Sequence, residues 1–211
     1  MASIVYEYQR AWAFLKRLLR PALLLLALFL VVAVATHFIL AAQYRGDHAT
    51  MERQLAQLAE MIDSKELVDE SGRLSASGLF FNNLIAAGMS VVTGVVPFIF
   101  VPVAALALNA SIIGMLSAIM TVSGRGGFYE LAVSVAPHGI FEIPALLIGA
   151  AMGCVLCADI SARILYKRRD MSFLALLSEM ARLSVLVVVP LIAVAAILEA
   201  YLTPVLMVML L

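Results

Sequence analysis

His138 and Glu142 stand four residues apart at the mouth of a long apolar run, in the stretch Pro137 to Gly153, PHGIFEIPALLIGAAMG. Hydrocarbon tolerates ionisable side chains poorly, so such groups need partners or a task. The spacing places both on one face of a helix. A second carboxylate, Glu199, lies in the last apolar run with Tyr201 and Thr203 just behind it, and two amides, Asn82 and Asn83, open an earlier run. One imidazole and two carboxylates suit a divalent ion of hard or borderline character. They suit a proton relay equally well, and hydrolysis with Glu142 as base is a third chemistry. The metal signal is unspecific, because His-x-x-x-Glu is not a zinc signature and no His-Glu-x-x-His occurs.

The elements that must position these groups follow from composition. The 211-residue chain is 64% hydrophobic and 13% charged, with a mean hydropathy of +1.05. Soluble domains are roughly 45–50% apolar and about 25% charged, so this is an integral membrane protein and its fold class is all-α. Fourteen basic residues balance fourteen acidic ones, which removes any general argument for nucleic acid as a partner. The two cysteines, Cys154 and Cys157, sit inside an apolar run and imply packing rather than a disulfide framework. The N-terminal stretch is too charged for an ordinary signal peptide, so the first apolar run is read as a retained anchor.

Four regions are expected. Residues 1–20 alternate apolar and basic positions and predict an amphipathic helix on the headgroups, anchored by Tyr8 and Trp12. The first membrane helix covers about 21–42. Residues 43–77 are polar and net acidic, and Met51, Leu55, Leu58 and Ile62 form one apolar helical side. Residues 78–211 form the membrane core, with helices near 79–101, 103–122, 138–158 and from Ser184 to Pro204 or Leu211, making about five spans. Gly94, Gly114, the Gly149-Ala-Ala-Met-Gly153 motif and Gly88 provide close helix contacts, within one chain or across a homodimer.

Charge asymmetry sets the expected orientation. Arg10, Lys16, Arg17, Arg20, Arg163, Lys167, Arg168, Arg169 and Arg182 share one side if the N-terminus is inside, as the positive-inside rule requires. That threading brings Asn82, Asn83, His138, Glu142 and Glu199 to one depth beneath the outer surface. Asn109 is the exception, nearer the inner side. His37 lies in the last turns of the first span.

The Pro137–Gly153 stretch also resembles the signature of the stage II sporulation protein M family, small polytopic membrane proteins of bacteria and archaea. Phe81-Asn82-Asn83, Gly94-Val-Val-Pro97, Asn109-x-x-x-x-Gly114 and the ending VPLIAVAAILEAYLTP, Val189 to Pro204, follow in order. The resemblance spans roughly 79–204, with Ala110 where relatives often carry glycine. It implies a multi-pass protein of the inner (cytoplasmic) membrane. The family's namesake is a scaffold that holds peptidoglycan-degrading enzymes at the septum. The resemblance therefore implies a membrane scaffold. The leading expectation is a scaffold for envelope-remodelling factors, as a homo-oligomer or in a hetero-complex, and the acidic outer helix at about 48–70, outside the resembling part, is its expected recruiting surface. From the residues alone, a small transporter or channel binding an ion at the polar cluster stands beside it, as does an intramembrane hydrolase; the cofactor in view is a divalent metal ion.

Overall fold

Backbone polar groups in a bilayer must be satisfied within their own segment, so long apolar runs fold as helices. The computed structural model describes residues 2–64, 67 and 73–210, with side chains for 3–61, 67, 73–133 and 135–206. Among these residues, five helical stretches are long and apolar enough to cross a membrane: 3–46, 76–95, 101–122, 135–164 and 173–206. Lys65, Glu66, Asp69 and Glu70 of the acidic segment lie outside the described residues.

Helix α1, Ala2–Gly46, runs 45 residues through Pro21 without a break. It rises about 68 Å, over twice the roughly 30 Å of a hydrocarbon core. Its first turns are therefore not a separate helix on the headgroups, as the sequence predicted. The reason is a continuous stripe: Ala11, Phe14, Leu18, Leu25, Phe29 and Ala33 recur at helical spacing across Pro21 and enter one buried core.

Helix α2, His48–Ser64, begins where Asp47 accepts from the Thr50 backbone N–H at 3.1 Å and its hydroxyl at 2.5 Å. Those bonds from Thr50 hold the exposed Asp47 carboxyl below the usual carboxylate range. The side of α2 that turns inward is Met51, Gln54, Leu58 and Met61. The Tyr44 hydroxyl donates to Gln54, and Leu55, expected on the apolar side, is 45% exposed. Met51 and Leu58 face inward as expected, Gln54, bonded to Tyr44 on α1, takes the place of Leu55, and the Ile62 side chain lies outside the described residues.

Helix α3, Ala76–Val92, is capped by Ser75 and ends in a 3₁₀ turn, Thr93–Val95. Helix α4, Val101–Val122, follows with Pro102 in its first turn, where proline's missing N–H costs nothing. Gly124 and Gly126 take positive φ in the turn to α5, which only glycine adopts freely. Helix α5, Phe128–Ile164, contains Pro137 and Pro144 and begins ten residues before the predicted start. The Gly127 N–H donates to the Glu130 carboxylate at 2.7 Å, fixing that early start.

The last span is α6, Phe173–Leu183, a π turn at Ser184–Val188, and α7, Val189–Tyr201. It starts eleven residues before the predicted Ser184. Pro190 cannot donate and would clash with a preceding carbonyl in a regular helix; the wider turn accommodates it. A short break at Leu202 leads into α8, Thr203–Leu210, so the helix continues past Pro204.

Contacts set the threading. Gly149 meets Ala87 and Gly153 meets Ser90, so α3 and α5 run the same way. Gly114 meets Ala33 and Thr36, while Ala41 and Tyr44 pack with Ala118 and Ile119, so α1 and α4 are likewise parallel.

At the end of the bundle where α1 begins, charges are paired across elements. Arg10 and Arg182 both engage Glu179, the latter at 2.7 Å, and Arg182 also reaches Glu7. Glu179 is only 6% exposed. Removing the buried member of such a set costs about 3 kcal/mol, the low end for buried pairs, because Arg182 keeps Glu7 and Arg10 reaches solvent. Glu179→Ala is therefore expected to destabilise the protein by about 3 kcal/mol, and a thermal unfolding curve in detergent within a degree of wild type would contradict it.

Candidate functional site

The three ionisable groups come together. Donor atoms of His138, Glu142 and Glu199 all lie within 4.8 Å of one another. Helix α5 contributes the first two from one face, and α7, running the opposite way, contributes the third. His138 is 7% exposed, and the two glutamates are half-buried. His138 Nδ1 and the Thr203 hydroxyl share a hydrogen bond of 3.0 Å, which leaves Nε2 as the free ring nitrogen. Thr203 sits at the α7–α8 break, so that break places the hydroxyl against the imidazole. Among the described residues, no protein group donates a hydrogen bond to either carboxylate. Glu142 lies two turns from Gly149, the residue that meets Ala87 near the middle of α3. That is about 10 Å of helix rise, inside a half-thickness of roughly 15 Å.

This geometry can hold a cation. Donors on opposite sides of an ion with bonds of about 2.1–2.4 Å stand about 4.2–4.8 Å apart. Two carboxylates and a neutral imidazole also match the charge of a dication, whose entry into a low-dielectric site is tolerable only when neutralised. With Nε2 turned to a cation, Nδ1 carries the ring proton and donates it to the Thr203 hydroxyl, which fixes the ring as partners of metal-binding histidines do.

The asparagines are placed otherwise. Asn83 is buried, and the Asn82 amide donates to its side-chain Oδ1 at 3.1 Å. Neither bonds to the three ionisable groups, and the Asn83 amide nitrogen has no partner among the described residues. Asn109 donates to Ala105 one turn back in its own helix, at 3.2 Å. His37 stands apart, its ring between Phe38 and Phe128. Cys157 donates to the Val96 carbonyl at 3.2 Å, and both cysteines are free thiols.

The small residues hold α3 and α4 against their neighbours. A Cβ on Gly94 would overlap the Gly153 backbone, one on Gly153 the Ser90 carbonyl, and one on Gly114 the Ala33 carbonyl. One on Gly149 would stand 3.0 Å from the Ala87 carbonyl oxygen. The Gly149–Gly153 motif is thus used within one chain. Gly88 faces open space and makes no such contact within the chain.

Sequence reasoning used Arg163, Arg169 and Arg182 only for orientation and missed the paired charges at the opposite end. Asp159, 3% exposed, accepts from Arg163 at 2.6 Å and Arg169 at 2.7 Å. The Asp159–Arg163 and Glu179–Arg182 spacings were visible signals; the pairing of α1 with α6 was not.

Fold and site together define a polytopic helical membrane protein with ionisable side chains gathered inside one end of its bundle. A family model described as stage II sporulation protein M matches residues 23–204, and the chain belongs to that family. The match takes in the second half of α1, beyond the 79–204 read from motifs. No curated protein and no solved structure matches the chain.

Proposed function

We propose that this protein is a small cation transporter or channel whose binding site is formed by His138, Glu142 and Glu199. The observation that carries this reading is the approach of the three donor sets to within 4.8 Å inside membrane-spanning helices, with no protein donor on either carboxylate among the described residues. Such groups are costly in a membrane and are kept where ions or protons pass. Purified protein in proteoliposomes, loaded with a metal-sensitive dye and in parallel with a pH-sensitive dye, tests it with manganese, zinc and protons. Saturable entry of at least one is expected; entry no faster than in protein-free vesicles for all three would end the proposal.

A second reading is favoured by α2. It packs on the bundle by one side only and leaves Glu52, Arg53 and Glu60 exposed. Family membership adds the scaffold of the family's namesake. In this reading the protein, in the inner membrane, positions peptidoglycan hydrolases or related envelope factors through residues 48–70. Deleting those residues should reduce hydrolase recovered with the affinity-purified protein to background. Undiminished recovery would remove the recruiting role of α2.

A further inference from the structure

We infer that the basic end of the bundle carries a binding site for a phosphate-bearing anion, and that an anionic phospholipid headgroup fills it. A cavity of about 190 Å³ opens there between α1, the end of α5 and the start of α6. Its basic wall is Arg17, Arg168 and Arg169, and its acidic groups are Asp159 and Asp170.

The pairing decides which charges are available. Both oxygens of Asp159 are taken, one by Arg163 and the other by Arg169. Arg163 also donates to the Met171 carbonyl at 2.7 Å, which fastens the loop that carries Arg168. Arg17 and Arg168 have no ion pair or hydrogen bond among the described residues, and both are exposed. Only Asp170 opposes them in the cavity. Two free guanidinium groups on one rim suit a phosphate, which accepts from their planar forks.

The rest of the cavity fits an amphiphile. Phe14, Leu18, Val155 and Leu176 line it as an apolar wall. Arg17 lies one turn before Pro21, where the uninterrupted apolar run of α1 begins, so the rim stands at headgroup depth. A second cavity of about 120 Å³ shares Phe14, Arg17 and Met171 with the first and adds Arg10 together with its ion-pair partner Glu179. Basic pockets between membrane helices bind anionic headgroups by this combination. The site shares no residue with His138, Glu142 and Glu199.

The test is native mass spectrometry of the full-length protein released from nanodiscs of equal phosphatidylglycerol and phosphatidylcholine. An arginine near an anionic headgroup contributes about fivefold, so two give a preference of roughly 30-fold for phosphatidylglycerol. Arg17→Gln with Arg168→Gln should bring the ratio close to one. Arg125→Gln, in the turn before α5, should leave it unchanged. Both arginines of the double variant are exposed and unpaired, and gel filtration checks its fold; if its elution changes, Arg168→Gln alone takes its place, with about fivefold loss. Equal retention of the two lipids by the wild type, or an undiminished preference in the variants, would overturn the site. Displacement of phosphatidylglycerol by excess inorganic phosphate would overturn the lipid as its occupant, and retention under that excess supports it.

Discussion

Glu142→Gln combined with Glu199→Gln is expected to abolish saturable cation binding and entry while leaving the helical fold intact. The amide keeps the size and hydrogen-bonding capacity of the carboxylate but removes its charge. With both changed, a dication would enter a low-dielectric site facing only neutral donors, and its desolvation would go uncompensated. Each single variant should weaken binding without eliminating it. Thr203→Val should act more mildly, by about tenfold, because the threonine orients His138 without offering the cation an oxygen in place of a carboxylate. The measurement is isothermal titration of purified protein with manganese and zinc, beside dye-reported entry into proteoliposomes, with circular dichroism as the control for folding. Entry in the double variant equal to wild type would separate the cluster from any transport activity.

The second large effect concerns stability. Gly153→Ala places a methyl group against the Ser90 carbonyl, with Pro102 close on another side. The obstacle is backbone, so no side-chain rotation relieves it and α3 must move away from α5. Overpacking of a well-filled contact costs about 1–3 kcal/mol, and this site belongs at the upper end because Gly94 presses on the same backbone from α3. Gly88→Ala is the matched control. Nothing lies within 4 Å of its added carbon, and alanine gains about 1 kcal/mol of helix propensity over glycine. Thermal unfolding in detergent should therefore move down for the first variant and level or up for the second. A Gly153→Ala protein as stable as wild type would mean that α3 and α5 are not held at this contact.

Much of the architecture was legible from periodicity and charge. The five apolar stretches and the places of His138, Glu142 and Glu199 toward the ends of those stretches follow from runs of residues that hydrocarbon permits or forbids. The pattern was less informative where tertiary partners decide. Residues 3–20 look amphipathic in isolation, and only Glu179 and Arg182, more than 160 residues later, show what their polar side meets. Leu55 fits an apolar stripe as well as Leu58 does, yet Gln54, bonded to the Tyr44 hydroxyl, takes its place on the packed side. Glycines carry the same ambiguity: Gly88 and Gly94 look alike in the chain, and only the position of α5 separates them. In the cluster, His138 and Glu142 were readable as a four-residue pair. Their approach to Glu199 depended on antiparallel packing of α5 and α7, which the span count implied but no local signal specified.

The wide turn at Ser184–Val188 governs more than the seating of Pro190. A regular helix advances about 100° of azimuth per residue, and a π turn absorbs one additional residue into a single revolution. Everything beyond it is rotated by that increment relative to an uninterrupted helix, and Glu199 is three turns downstream. A relative lacking one residue there would keep its distal carboxylate on α5 through a regular helix, whereas the same number of residues wound regularly would turn it a quarter-circle or more away.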